Sequence, residues 1–184
     1  LLSCVRYEKY DPNFSMLVAR DEQELAAKAS GLQGMFRANR QAALERYIAD
    51  PAASEYKDFY EPRIAANGGL LEIFTRKAPA DVQAGYFVQS QAHFDAVRSA
   101  LFEVYPELLL TSGFIGGEVP GEDDFHMIAW VMRIALIIGA TSSADGLGAF
   151  ERAYGAPVPV KMAAYWGAWA ARESWKKVYA ETLH

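Results

Sequence analysis

Cysteine is almost missing from this chain of 184 residues: Cys4 is the single one. That excludes an internal disulfide and a multi-cysteine zinc site, and it suits a reducing compartment. Clustered positive charge is missing too. Lys and Arg number 18 against 23 Asp and Glu, for a formal charge of −5, and the nearest thing to a basic patch is Lys176-Lys177. A phosphate backbone has little to hold here, so we expect no nucleic-acid partner. Nor is there a membrane-length apolar run. Met127 to Ala140, the longest, falls about a third short of the ~20 residues a crossing needs and contains Arg133. The chain begins at Leu1 rather than Met, and Leu1 to Tyr10 carries Arg6, Glu8 and Lys9, a pattern of neither a signal nor a transit peptide. We therefore expect a cytoplasmic protein without a membrane partner, from which something N-terminal has been removed.

Alternating strand-like runs are also lacking, whereas material for a core is plentiful at 52% hydrophobic residues. Asp21 to Ile48 reads as an amphipathic helix, bent near Gly31 and Gly34. Asp50-Pro51 stops it, Ser54 is a candidate cap for a short helix towards Ala66, and Pro62 is a candidate kink. Asn67-Gly68-Gly69 reads as a break, with another short helical piece over Leu70 to Arg76. Asp81 opens a long helix to about Tyr105, with Phe87, Phe94, Val97 and Leu101 at helical spacing. Phe114 to Gly121 is a Gly/Pro-punctuated loop leading into an apolar helix that breaks at Gly139 to Gly148. A short helix follows over about Leu147 to Arg152, and Pro157 and Pro159 start a last one to about Glu181. The expected fold is an all-α helical bundle of about six to seven helices, with 1–20 an N-terminal segment or linker remnant and 21–184 a single domain.

The most specific stretch is GEVPGEDDFHMIAW, Gly117 to Trp130. Carboxylates in the first turn of a helix accept its orphan amides and oppose its dipole. Asp124 stands where it can fold back onto the preceding loop, the work of the last residue of a capping box. We read it as a structural N-cap whose loss costs about 1 kcal/mol. A metal site would need ligands converging from a loop or a second ligand for His126, and three consecutive carboxylates diverge, so no metal is expected.

Other candidates carry less. Ser90 and His93 share a helix face, but no oxyanion hole accompanies them, and both read as exposed helix residues. His184 is terminal, and Cys4 has only Arg6 and Lys9 near it. No catalytic residue is assigned. Arg133, the one charge in the apolar helix, reads as snorkelling or internally paired. In the last helix Ala163, Gly167 and Ala171 form a small-residue stripe that would admit a neighbouring helix, while Tyr165, Trp166, Trp169 and Trp175 read mostly as core. An apolar pocket walled by aromatics remains a reading of the same residues. The candidate ligand-binding residues are Met35, Phe36 and Arg40 with Trp130, Arg133, Trp166 and Trp169, chosen by helix position and side-chain chemistry.

FIGGEVPGEDDFHMIAW, with its loop, acidic turn and buried helix, resembles the C-terminal helical domain of glutathione S-transferases. The closing AYWGAWAARESWKKVY and the NGGLL at Asn67 to Leu71 are closest to fungal-type members. The resemblance runs over about Asp21 to Leu183, and Gly121 replaces the Ser or Thr that usually begins the family's capping box. It implies that glutathione is the co-substrate of a full-length form whose thioredoxin-like half lies outside this chain. This chain itself would hold no cofactor. The helical domain would then supply a hydrophobic co-substrate pocket and part of a homodimer interface. The alternatives are a stand-alone, non-catalytic module binding a hydrophobic small molecule, and a protein-interaction domain like the transferase-like modules of translation factors.

Overall fold

The computed structural model describes residues 10–111 and 113–181; Cys4 and His184 lie outside them. Among the described residues the fold is all-helical, with no β-strand beyond an isolated bridge between Phe114 and Gly117. The chain resolves into two compact units, one made of Leu17–Ala92, the other of the described parts of Leu1–Met16 and His93–His184.

In Leu17–Ala92, whose first residue is the last of the short α1 (Pro12–Leu17), α2 (Glu22–Ser30) is followed by α3 (Leu32–Ile48). The long helix expected from Asp21 is thus two, separated at Gly31, whose backbone is extended at φ −95° and ψ −163°. Asp21 caps α2 by accepting the Glu24 amide at 2.8 Å. Close approach of the two helices explains the neighbouring glycine: a Cβ on Gly34 would sit 1.9 Å from the Ala29 carbonyl oxygen.

A 3-10 turn, Pro51–Tyr56, comes next. Its cap is Asp50, which accepts the Ala52 amide at 2.9 Å, rather than the expected Ser54. Then α4 (Lys57–Phe74) runs on through Pro62 and through Asn67-Gly68-Gly69, where a break was expected. Side-chain bonding overrides local propensity here. Asn67 is buried, its Nδ2 donates to the Arg37 carbonyl at 3.0 Å and to Gln41 Oε1 at 2.9 Å, and its Oδ1 accepts from Arg37 Nη1 at 3.1 Å. Neither following glycine takes a positive φ. The apolar core of this unit is small, with Ala19, Leu25, Ile73 and Phe74 at its centre and Leu70, Tyr86 and Phe87 against it.

Helix α5 (Ala80–Ser99) continues through a π-helical turn, Ala100–Val104, into α6 (Tyr105–Leu108). Ser90 is fully buried rather than exposed, and its Oγ accepts the Ala19 amide at 3.2 Å. From His93 onward, α7 (Glu122–Ile137) forms the heart of a larger core, burying Met127, Ile128, Trp130, Val131, Met132, Ile134 and Ala135. Around it stand α8 (Gly146–Tyr154), α9 (Val160–Ala170) and α10 (Glu173–Val178). The expected last helix is therefore two, divided at Ala171 and Arg172. Where α8 begins, a Cβ on Gly146 would meet the Trp166 ring at 2.3 Å. The stripe of small residues on α9 does not have that role. Gly167 is exposed and a Cβ there would meet nothing within 4 Å.

Gly34→Ala should lower stability by about 2 kcal/mol, the clash with Ala29 outweighing the ~1 kcal/mol by which Ala favours a helix. Urea denaturation reads it, and an unchanged midpoint would mean that α2 and α3 separate freely. A second expectation concerns Tyr86, whose hydroxyl donates to the Leu17 carbonyl at 2.5 Å. Burial pushes its phenol up to about 12, above the ~10 of an unfolded tyrosine. Its contribution to stability is fully present below about pH 10 and is lost as pH rises towards 12. Tyr86→Phe should flatten that alkaline loss in pH-dependent melting.

Candidate functional site

The loop before α7 is organised by one side chain. Asp124 is the third residue of α7 and has no exposed surface. Its Oδ1 accepts the Ile115 amide at 2.8 Å, and its Oδ2 accepts those of Gly116 and Gly121, both at 2.9 Å. Gly121 has no side chain to return the bond, so only the carboxylate half of a capping box operates, together with the Asp124 amide bonding back to the Gly121 carbonyl at 3.1 Å. The Asp124 carbonyl accepts the Tyr165 hydroxyl at 3.0 Å, which ties α9 to the head of α7. Burial pushes the Tyr165 phenol well above its ordinary value, so it stays a donor. Three of the roughly four acceptor positions of this carboxylate are taken by backbone donors, the arrangement of a structural cap.

The indoles are packed as closely, although the Trp169 Nε1 is buried without an acceptor. Trp130 is buried, edge-on to Tyr105 with centroids 5.2 Å apart, and its Nε1 donates to the Tyr10 carbonyl at 2.7 Å. Trp169 packs edge-on to Phe114 and Phe125, each at 5.2 Å, and Trp166 against Trp175 at 5.4 Å. Both are buried. Three of the seven candidate ligand-binding residues, Trp130, Trp166 and Trp169, are thus walls of a filled core. The Arg172 guanidinium lies over Phe114 and Trp169 at 5.7 and 5.6 Å, adding a cation–π contact on the rim of the cluster. Arg133 is half-buried and directs Nη2 at the Met16 sulfur, 3.4 Å away; of the two expected readings, snorkelling and an internal ion pair, no carboxylate among the described residues supports the second.

Met35, Phe36 and Arg40 belong to the other unit, all on α3 and all exposed. Phe36 and Met35 leave 56% and 55% of their surface in solvent, and Leu32 leaves 74%. Leu32, Phe36 and Arg40 lie four residues apart and so form one stripe of the helix. Beside it run Gln33, Arg37 and Gln41. Arg37, which sequence reading left unmarked, is the buried charge of this unit, at 8% exposure. A signal was available: Arg37 is seven residues before the buried Leu44, two turns along the same face. His93 bonds not to Ser90 but to Ser15, Nε2 to Oγ at 2.8 Å, with the Phe14 ring beside it.

Among the described residues no three His, Cys, Asp or Glu side chains gather as a metal site, and no helix is long and apolar enough to cross a membrane. No protein-family model, no curated protein and no solved structure matches this chain.

Asp124→Ala leaves three loop amides without their acceptor and should cost about 3 kcal/mol, more than an ordinary exposed cap. Asp124→Asn retains an acceptor but aims an amide donor at other donors, so it should recover only part. Chemical denaturation of both variants checks this. Full stability in the alanine variant would mean that water replaces the carboxylate at no cost.

Proposed function

We propose that this chain is the helical domain of a glutathione S-transferase-like protein, contributing the apolar co-substrate surface to glutathione conjugation in a longer form. The observation that carries the reading is the loop of Phe114 to Gly121 held by the Asp124 carboxylate at the head of a buried helix. That arrangement is what the sequence resemblance rests on, and the all-helical fold is compatible with it. On this reading glutathione binding and activation belong to a thioredoxin-like segment outside these residues. The part left to this chain is binding of the second substrate. With the tryptophans packed into the core, that part falls to the exposed Leu32, Met35 and Phe36 of α3.

The test starts from the native protein in its source, sized by immunoblot and intact mass spectrometry. We expect a species longer at its N-terminus that conjugates glutathione to 1-chloro-2,4-dinitrobenzene, and no conjugation by the 184-residue chain alone. In the longer form Phe36→Ala should raise KM for the apolar substrate several-fold and leave KM for glutathione unchanged. A native species of this chain's size would overturn the reading.

A further inference from the structure

Arg37 is a buried cation without an anion. Its Nη1 donates to Asn67 Oδ1, a neutral acceptor, at 3.1 Å, and its Nε is sealed from solvent with no acceptor. The orientation of Asn67 is fixed by its own bonds: Nδ2 reaches the Arg37 carbonyl and Gln41 Oε1, which leaves Oδ1 for the guanidinium. A guanidinium carries five N–H donors. One neutral oxygen is a poor return for removing it from water, and an uncompensated buried charge is strongly destabilising.

The groups around Arg37 worsen the imbalance. Burial is the largest influence opposing its charge, and Arg40, one turn along the helix, is the next. The phenol of Tyr86 also acts on it, but with a pKa of about 12 that group stays neutral at physiological pH. Glu45, the nearest acid along the helix surface, is engaged by Gln41 Nε2 at 2.7 Å. Neither Arg37 nor Arg40 has a carboxylate partner among the described residues. Two arginines three residues apart on one helix repel each other, and the cheapest remedy is a shared anion. The surface next to them is apolar. Phe36 precedes Arg40 by one turn and Leu32 precedes Phe36 by another, both exposed.

We propose that Arg37 and Arg40 form a binding site for a small amphipathic carboxylate, the head bridging the two guanidinium groups and the apolar body lying along Phe36 and Leu32. The site lies wholly within Leu17–Ala92 and does not depend on the transferase reading. A carboxylate suits it because its two oxygens can each take one guanidinium; on Arg37 the nitrogen left over is Nη2, since Nη1 is held by Asn67 and Nε is sealed from solvent. The apolar stripe distinguishes such a ligand from a bare inorganic anion.

Titration calorimetry of the 184-residue protein with octanoate, octan-1-ol and inorganic phosphate tests the proposal. Octanoate should saturate one site and bind about tenfold or more tighter than either comparator, since it alone supplies both halves. Arg37→Gln should weaken octanoate about tenfold or more. Arg40→Gln, an exposed change that leaves the Asn67 bonds untouched, should weaken it several-fold with circular dichroism unchanged, and so gives a reading even if the Arg37 variant fails to fold. Unchanged octanoate affinity in the Arg40 variant, equal binding of phosphate or octanol, or no saturable octanoate binding would each overturn the assignment.

Discussion

Three backbone amides converge on the carboxylate of Asp124, and the larger unit of this protein is arranged around that convergence. A loop with glycines at 113, 116, 117 and 121 has high conformational freedom and would be expensive to order alone. The carboxylate removes that freedom while serving the start of α7, where the helix has amides to spare and favours negative charge. Once the loop is fixed, Phe114 is delivered to Tyr165 and Trp169, with ring centroids 6.3 and 5.2 Å away. The Tyr165 hydroxyl returns to the Asp124 carbonyl. Loop, helix start and α9 therefore close a circuit in which each part orients the next.

That circuit was legible because its signals are local. Acidic residues at a helix start, a Pro-Gly turn before it and an apolar run after it agree with one another, and agreement across levels is what makes a sequence readable. Asn67-Gly68-Gly69 is the opposite case. Turn propensity pointed to a break, yet α4 continues because the Asn67 amide is held by Arg37 and Gln41, some thirty residues earlier in the chain. No pattern within a short window reveals such a bond. The same holds for Ser90, whose partner is the distant Ala19 amide, and for the tryptophans, where helical spacing placed them in the core but could not say that the core leaves them no free face. Gly34 and Gly146 read as breaks or loop residues, whereas their meaning is close contact with Ala29 and Trp166.

The two units solve the packing problem differently. The unit from His93 onward buries aromatic rings edge to face around α7, and both carboxylate oxygens of its buried Asp124 accept backbone amides. The Leu17–Ala92 unit has a small apolar centre and joins α3 to α4 through Arg37, Asn67, Gln41 and Glu45, a polar chain in which the buried cation meets its carboxylate only through two neutral amides. At the same time it leaves Leu32, Met35 and Phe36 in solvent.

A sequence selected for stability alone would exchange these placements, putting the phenylalanine inside and the arginine outside, since a buried ion is readily replaced by an apolar residue with no loss and often with gain. On α3 the inversion falls on neighbouring stripes of one helix. Its cost is spread over few residues: a guanidinium short of acceptors, a second cation beside it and three apolar side chains in water. Each of those deficits is relieved by the same kind of molecule, and local conflict of this kind concentrates where a chain has something to bind. The aromatic core leaves buried N–H groups of its own short of acceptors, the Trp169 Nε1 and the Arg172 Nε, but no pair of neighbouring cations. On the proposed carboxylate site, recognition would fall to the Leu17–Ala92 unit, where two neighbouring cations lie beside exposed apolar side chains.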